Sequence, residues 1–462
     1  MIFALVSINS LLIFHLIMGI EGLLQALKPV RIKKHIKEFE GLKAAIDAST
    51  WLYRGTYSCA FDLAQGKKTN AYLRFSIKMI KLLRRYKVEP ILVFDGIVLP
   101  LKADIAEQRK VDKAKNKAAG DKLRDEGKIE EANAIYARSI SIKKSMMFML
   151  IDILDVMKVR YIVAPYEADA QIAFLCQEKI ADFAITEDSD LFAYGCQDIV
   201  FKLDYEGNCE HVSLKSLKEG SFEGLIEDDF INAMLDMPEE KLIELCIVAG
   251  CDYLPNIPGF GLKRAMKMMS HLTLDETLSR IRYQKQYMRK IPEGYRDKIK
   301  KIKYQFMNGR VIDMDNYKMT TLRQIPVEAK AKDLEGLGEV FDEKIVKKYA
   351  QGLYNYKKKQ DRIRMSKEEI LDILEEVTAH KKAASKEVSN KDHAGTEKKS
   401  DKFIADENLE EEKVTNKCVD VNELEEKDLV GGKRKYPEID YNELEGAPSE
   451  QSEGYKKAKV EE

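Results

Sequence analysis

Glu-Pro-Ile-Leu-Val-Phe-Asp, residues 89–95, is a short apolar run that ends on a carboxylate. Such a run reads as a buried strand, and LKAAID (42–47) repeats the pattern upstream. Further strands are expected at 160–164, 182–186 and 199–203. Between the first two, Tyr72, Phe75, Met79, Leu82 and Leu83 fall at helical spacing over residues 68–86. Helices are also expected up to about residue 157, over 167–178, and through most of 226–276. Strands alternating with helices imply an α/β fold, with a mainly parallel central sheet flanked by helices.

Asp47 and Asp95 therefore close two strands at their carboxyl ends. Open α/β sheets hold ligands at that edge, because loops leave and helices begin there. Glu167 and Asp169 open a helix after the third strand, and Asp188 and Asp190 follow the fourth. Asp252 ends an apolar helix. Parallel strands bring these ends to one edge, so all seven carboxylates are expected to converge. Any one of them alone reads as an N-cap or a loop residue; recurrence at successive strand ends is what points to a site. Seven like charges repel unless cations join them, and hard oxygen donors select Mg²⁺ or Mn²⁺. Two such ions about 3.5–4 Å apart suit phosphoryl transfer.

The net charge of −1 is unevenly spread. Residues 381–462 hold 16 Lys and Arg against 22 Asp and Glu, which leaves +5 on residues 1–380. Residues 280–310 carry 11 basic residues against Glu293 and Asp297. A stripe of that kind fits phosphate binding, the plainer alternative being a solvated helix face. Seven cysteines without CxxC spacing fit reduced thiols rather than a zinc site, and six histidines outside any motif turn the chemistry to Asp and Glu. Residues 102–144 are charged and helix-forming, broken near Gly120 and Gly127, with too few large apolar residues to form core.

Residues 2–17 are apolar apart from Ser7, Asn9, Ser10 and His15. No Lys or Arg precedes Lys28, unlike a signal peptide, and the run falls short of the about 20 residues of a membrane span. Residues 1–17 are expected to be an extension without function before Met18-Gly19, and no membrane partner is expected. From residue 381 a disordered tail is expected, charged and poor in aromatic residues. It contains Gly432-Lys433-Arg434-Lys435, a short basic cluster of the nuclear-localisation kind.

Taken in order, MGIEGLL (18–24), IDAS (46–49), ILVFDG (91–96), APYEADAQ (164–171), ITEDSDL (185–191) and GCDYLPNIPGFG (250–261) resemble the motifs of the structure-specific 5′ nuclease family, the flap endonuclease-like proteins. The likeness covers roughly residues 18–356 and is nearest the exonuclease-1-type branch, since no QxxLxxFF clamp-binding motif follows the core. It implies a PIN-like core from nuclease regions 18–116 and 155–245. A helical arch at 102–144 would close over a single-stranded 5′ end. A helix-two-turn-helix motif at 246–276 and a core-wrapping basic region at 277–356 complete the expected organisation.

The resemblance further implies that Asp47, Asp95, Glu167, Asp169, Asp188, Asp190 and Asp252 hold two Mg²⁺ ions, with Mn²⁺ able to substitute. It assigns Lys102 and Arg109 to the scissile phosphate. Seven residues are close to two helical turns, so both cations share a face and can neutralise charge in the transition state. Gly259, Gly261, Lys263 and Arg264 are expected to bind a duplex phosphate with help from K⁺. The basic stripe adds Lys298, Lys300 and Lys301 as duplex contacts, and Ile20, Leu23 and Leu24 would help form a wedge at a junction. Two departures from the family's pattern stand out. Ser49 replaces an aromatic residue, leaving Tyr53 to contact the frayed nucleotide. Ala249 and Asn256 replace the hydroxyl residues that line the K⁺ site, which weakens the case for that ion.

The activity so implied is a 5′→3′ double-stranded DNA exonuclease with 5′-flap endonuclease activity. It would act at 5′ ends, nicks or flaps in mismatch repair and recombination, in the nucleus, with mismatch-repair proteins on the tail. A dedicated flap or junction endonuclease and a catalytically inactive DNA-binding scaffold are the alternatives. A scaffold would be expected to have lost some of the acid set, Lys102 or Arg109.

Overall fold

A computed structural model describes residues 19–219, 228–284 and 291–379. The N-terminal extension and the tail with its basic cluster lie outside the described residues. The central sheet consists of β1 (Ile32–His35), β2 (Lys43–Asp47), β3 (Glu89–Phe94), β4 (Arg160–Val163), β5 (Phe183–Ile185), β6 (Asp198–Phe201) and β7 (Asn208–Ser213). Their spatial order is β1-β7-β6-β5-β2-β3-β4. The strands from β6 through β5, β2 and β3 to β4 are parallel, while β7 runs antiparallel to both β6 and β1. β1 and β7 were not among the expected strands. The sheet is thus mainly parallel with a mixed edge.

Ala44, Ala45, Ile46 and Ile91, Leu92, Val93, Phe94 are fully buried, as parallel strands covered on both faces must be. Helices α1 (Ala48–Thr56), α2 (Leu73–Arg85), α5 (Lys144–Val156) and α6 (Ala168–Gln177) pack on the sheet, and the chain between α2 and α5 forms α3 (Ala103–Asp125) and α4 (Ile129–Ser139). The helices continue with α7 (Asp190–Ala193), α8 (Glu239–Ala249), α9 (Leu262–Met269), α10 (Tyr295–Asn308) and α11 (Lys367–Thr378). From β2 the chain moves outward through β3 and β4 on one side, then returns to β5 and β6 on the other. This places a topological switch point beside β2, where the loops diverge and leave a crevice at the carboxyl edge.

The arch segment corrects two expectations. α3 runs unbroken through Gly120, where the Tyr136 ring of α4 lies so close that an added Cβ would sit 2.7 Å from it. Gly120 serves packing there, and the turn falls at Gly127 instead. The segment also has a small core of its own, in which Ala132, Tyr136, Ala137 and Ile140 pack with Ala60.

The packed chain also continues past residue 356. Arg362 donates from both terminal nitrogens to the buried Asp152 (2.8 and 2.6 Å), and Ser366 and Glu369 form a capping box that starts α11. Ile370 and Val377 bury its inner face. No helix among the described residues is long and apolar enough to cross a membrane.

Candidate active site

Each acidic residue is placed by the end of a regular element. Asp47 ends β2 and caps α1, accepting from the Thr50 N–H (3.0 Å). Asp95 follows β3 and accepts from the Ala168 N–H at the start of α6 (3.0 Å). The plain N-cap reading is therefore true of Asp47, while Asp95 serves the first N–H of a helix from a different segment, and neither contact excludes a second role. Glu167 is the N-cap residue of α6 and Asp169 lies in its first turn. Asp188 turns back to accept from the Asp190 N–H (2.8 Å), itself the first residue of α7. Asp252 follows α8 across Gly250.

These loops share the crevice. Carboxylate oxygens of Asp188, Asp190 and Asp252 lie within 4.8 Å of one another. Burial and the neighbouring Asp95 push Asp47 up to about 6, and burial with Asp252 pushes Asp188 up to about 7. Asp169 and Asp190 are held well above the usual carboxylate range, by burial and then by Asp188. Burial raises Glu167 too, against the pull of Lys102. Asp252 is the exception: burial favours its neutral form, but Lys102 and Arg109 outweigh that and hold it below the usual range. In a crevice of this kind carboxylates keep protons in place of cations.

Lys102 and Arg109 lie at the start of the arch and both reach Asp252, at 3.5 and 2.9 Å; Lys102 also pairs with Glu167. Despite the cost of burial, these carboxylates keep both cations firmly charged. Carboxylates outnumber the two cations here, so protons or divalent cations are needed to balance them. Asp190 Oδ1 is buried without a hydrogen-bond partner among the described residues. An all-oxygen donor set, an orphaned oxygen and proton-sharing acids together fit a divalent metal centre.

The N-terminal segment closes the crevice from one side, a feature that spacing alone did not reveal. The Ile20 N–H donates to Ser189 Oγ (2.9 Å), and an added Cβ at Gly19 would lie 2.3 Å from Asp188 Oδ1. Only glycine fits there, at a φ of +82°. GIEGLL (19–24) and the acid loops are far apart in the chain, so their nearness has no local signature. Ile20 and Leu23 prove to be core residues, so of the expected wedge only Leu24 keeps a partly exposed side chain.

The remaining candidates lie elsewhere. Tyr53 donates its hydroxyl to the Ala137 carbonyl of α4 (3.1 Å). Gly259, at φ +86°, and Gly261 frame the turn before α9, and Arg264 folds back onto the Gly259 carbonyl (2.6 Å), while Lys263 is exposed. Asn256, at the questioned K⁺ position, donates its amide to Glu21 (2.6 Å), and Ala249 is buried. On α10, Lys300 pairs with Asp333 (2.7 Å) and Lys301 with Glu335 (3.0 Å), whereas Lys298 is exposed outside these pairs.

An acidic crevice at the carboxyl edge of a parallel sheet, reached by Lys102 and Arg109, is compatible with a metal centre of the kind nucleases use. Comparison with known proteins agrees. The XPG N-terminal domain matches residues 18–116 and the XPG I-region residues 158–252. Exonuclease 1 of Xenopus laevis is 35% identical over 72% of this chain and 45% of its own length. DNA damage-inducible protein DIN7 of Saccharomyces cerevisiae is 32% identical over 67% of this chain and 70% of its own. Among solved structures, the catalytic core of Rad2 in complex with DNA substrate is 18% identical with a TM-score of 0.47, over 78% of this chain and 95% of that one. The chain belongs to the XPG family of 5′ nucleases and is of the exonuclease 1 type. It spans less than half the length of several exonuclease 1 relatives.

Proposed function

We propose that the protein is a divalent-metal-dependent 5′→3′ double-stranded DNA exonuclease with 5′-flap endonuclease activity. The observation that carries this reading is the convergence of Asp188, Asp190 and Asp252 beneath Lys102 and Arg109, with Asp47, Asp95, Glu167 and Asp169 around them. The acid set would hold two Mg²⁺ ions, with Mn²⁺ as substitute, and such ions would supply water activation and charge stabilisation for phosphodiester hydrolysis. Lys102 and Arg109 neutralise charge on the phosphate as the transition state forms. Tyr53 and α3 shape the passage for the 5′ end, and the turn at Gly259 and Gly261 with Lys263 meets the duplex backbone.

Mismatch repair and recombination are the proposed settings, with nuclear accumulation and repair-protein contacts assigned to the tail. The names of the relatives, exonuclease 1 and a DNA damage-inducible protein, support that placement. The test is a series of duplexes labelled at the 5′ or 3′ end, blunt, nicked or carrying a 5′ flap, each with Mg²⁺. Mononucleotide release from recessed or blunt 5′ ends supports the exonuclease. Cutting confined to flaps or four-way junctions would place the protein with the dedicated endonucleases, and no Mg²⁺-dependent cutting of any substrate would leave a binding scaffold.

A further inference from the structure

Two tyrosines without an assigned role stand beside Lys102. Tyr253 follows Asp252 in the chain, and its ring centroid lies 4.8 Å from Lys102 Nζ. Tyr194 caps α7, the helix that begins at Asp190, and its hydroxyl is 2.5 Å from that of Tyr253. Gln305 of α10 donates its amide to the Tyr194 hydroxyl (3.2 Å), and the two phenol hydroxyls share a hydrogen bond in which either can donate. Phe306 sets an edge against both rings, at 4.8 and 5.4 Å. All four side chains are buried, and burial keeps both phenols protonated far above neutral pH. The tyrosine pair is thus a rigid, dry element, and it ties the segment carrying Asp190 to the segment carrying Asp252.

Lysine needs such an element. Its ammonium is a point charge on a flexible four-carbon stem, and Glu167 and Asp252 both compete for it. An aromatic face attracts a cation most strongly where water is excluded, and it restricts the stem from the side the carboxylates leave open.

We propose that Tyr253 is a positioning residue of this site, its ring holding the Lys102 ammonium over the carboxylates while the Tyr194 hydroxyl locks that ring. The inference rests on the role given to Lys102 under the proposed function. The test is single-turnover cleavage at saturating DNA with the full chain, in a double-mutant cycle with Lys102→Ala. Tyr253→Leu should lower the rate on the order of tenfold, as expected when a desolvated cation–π interaction is removed, with DNA affinity unchanged. Tyr253→Phe keeps the face but loses the hydroxyl lock, so it should cost about threefold rather than tenfold, as should Tyr194→Phe, which removes the same hydrogen bond.

Neither tyrosine substitution should lower the rate further once Lys102 is alanine. Equal reductions in both backgrounds would overturn the proposal and leave the tyrosines as packing. Full activity of Lys102→Ala alone would instead remove the reading of Lys102, a separate and visible failure. If melting shows Tyr253→Leu unfolded, Tyr194→Phe in the two backgrounds decides the matter alone.

Discussion

Lysines meet carboxylates in two places in this protein, and the two places differ in kind. On α10, Lys300 and Lys301 pair one-to-one with Asp333 and Glu335, and the lysine side chains stay 50% and 33% exposed. At the sheet edge, Lys102 and Arg109 share Asp252, Lys102 also pairs with Glu167, and further carboxylates stand close by, while the Lys102 side chain is 14% exposed. One-to-one pairs cancel their own charge, and where solvent reaches them they add little to stability. An outnumbered pair of cations in a buried crevice leaves carboxylates that protons or a bound cation must balance. Excess and convergence, rather than the presence of charge, separate a site from a surface.

The comparison breaks most directly at the acids. Asp188→Ala should abolish Mg²⁺-dependent cleavage while leaving DNA binding nearly intact, because most phosphate contacts lie elsewhere. Substantial cutting by that variant, measured beside its DNA affinity, would remove Asp188 from the metal ligands. Next in size is Lys102→Ala. An interaction made mainly in the transition state should cost roughly 10²- to 10³-fold in single-turnover rate, with little change in affinity. A variant that regains the full rate at higher DNA concentration would move Lys102 to the binding contacts and join it to the α10 lysines.

The same contrast explains what was legible in the sequence. β2 and β3 were readable because LKAAID and EPILVFD are apolar runs buried on both faces, and their terminal Asp residues marked the edge. β1 and β7 were not: Ile32–His35 carries Lys33 and Lys34 on the sheet's outer strand, and Asn208–Ser213 alternates weakly. Their pairing is a tertiary outcome with little local signature. Gly120 misled because glycine disfavours helix in isolation, while here its bare backbone receives the Tyr136 ring. The ion pairs of Lys300 and Lys301 span more than 30 residues, and Tyr194 meets Tyr253 across 59, so no spacing rule reveals either.

Titration should separate the two regions by sign. Asp47 and Asp188 rise to about 6 and about 7 in the folded chain, against an ordinary value of 3.8. The folded protein then binds more protons than the unfolded one between pH 4 and 7, so their contribution to stability is full below that window. It disappears as pH rises through 6 and then 7. Asp333, held below its ordinary value by Lys300, acts oppositely, and its contribution fades only in acid. Melting followed from pH 5 to pH 8 with chelator should therefore show falling stability. Saturating Mg²⁺ should flatten the fall, since the metal replaces protons on the same oxygens. Metal-free protein that grows more stable toward pH 8 would show that the crevice carboxylates do not share protons.

The smallest expected effect lies on α10 and tests whether its pairs stay closed when DNA is present. Deleting one side chain that touches a phosphate should flatten the dependence of log affinity on log salt by about one unit. Lys298, exposed and outside the pairs, should give that full unit when changed to alanine. Lys300 and Lys301 are held by Asp333 and Glu335, so each should give less. Removing them also frees a carboxylate, whose repulsion would weaken binding without a matching change in salt slope. Affinity titrations of the three single variants across a salt series resolve these effects. Equal, full-unit changes at all three positions would mean that both pairs open on the duplex, and α10 would then be a binding face held closed only in the free protein.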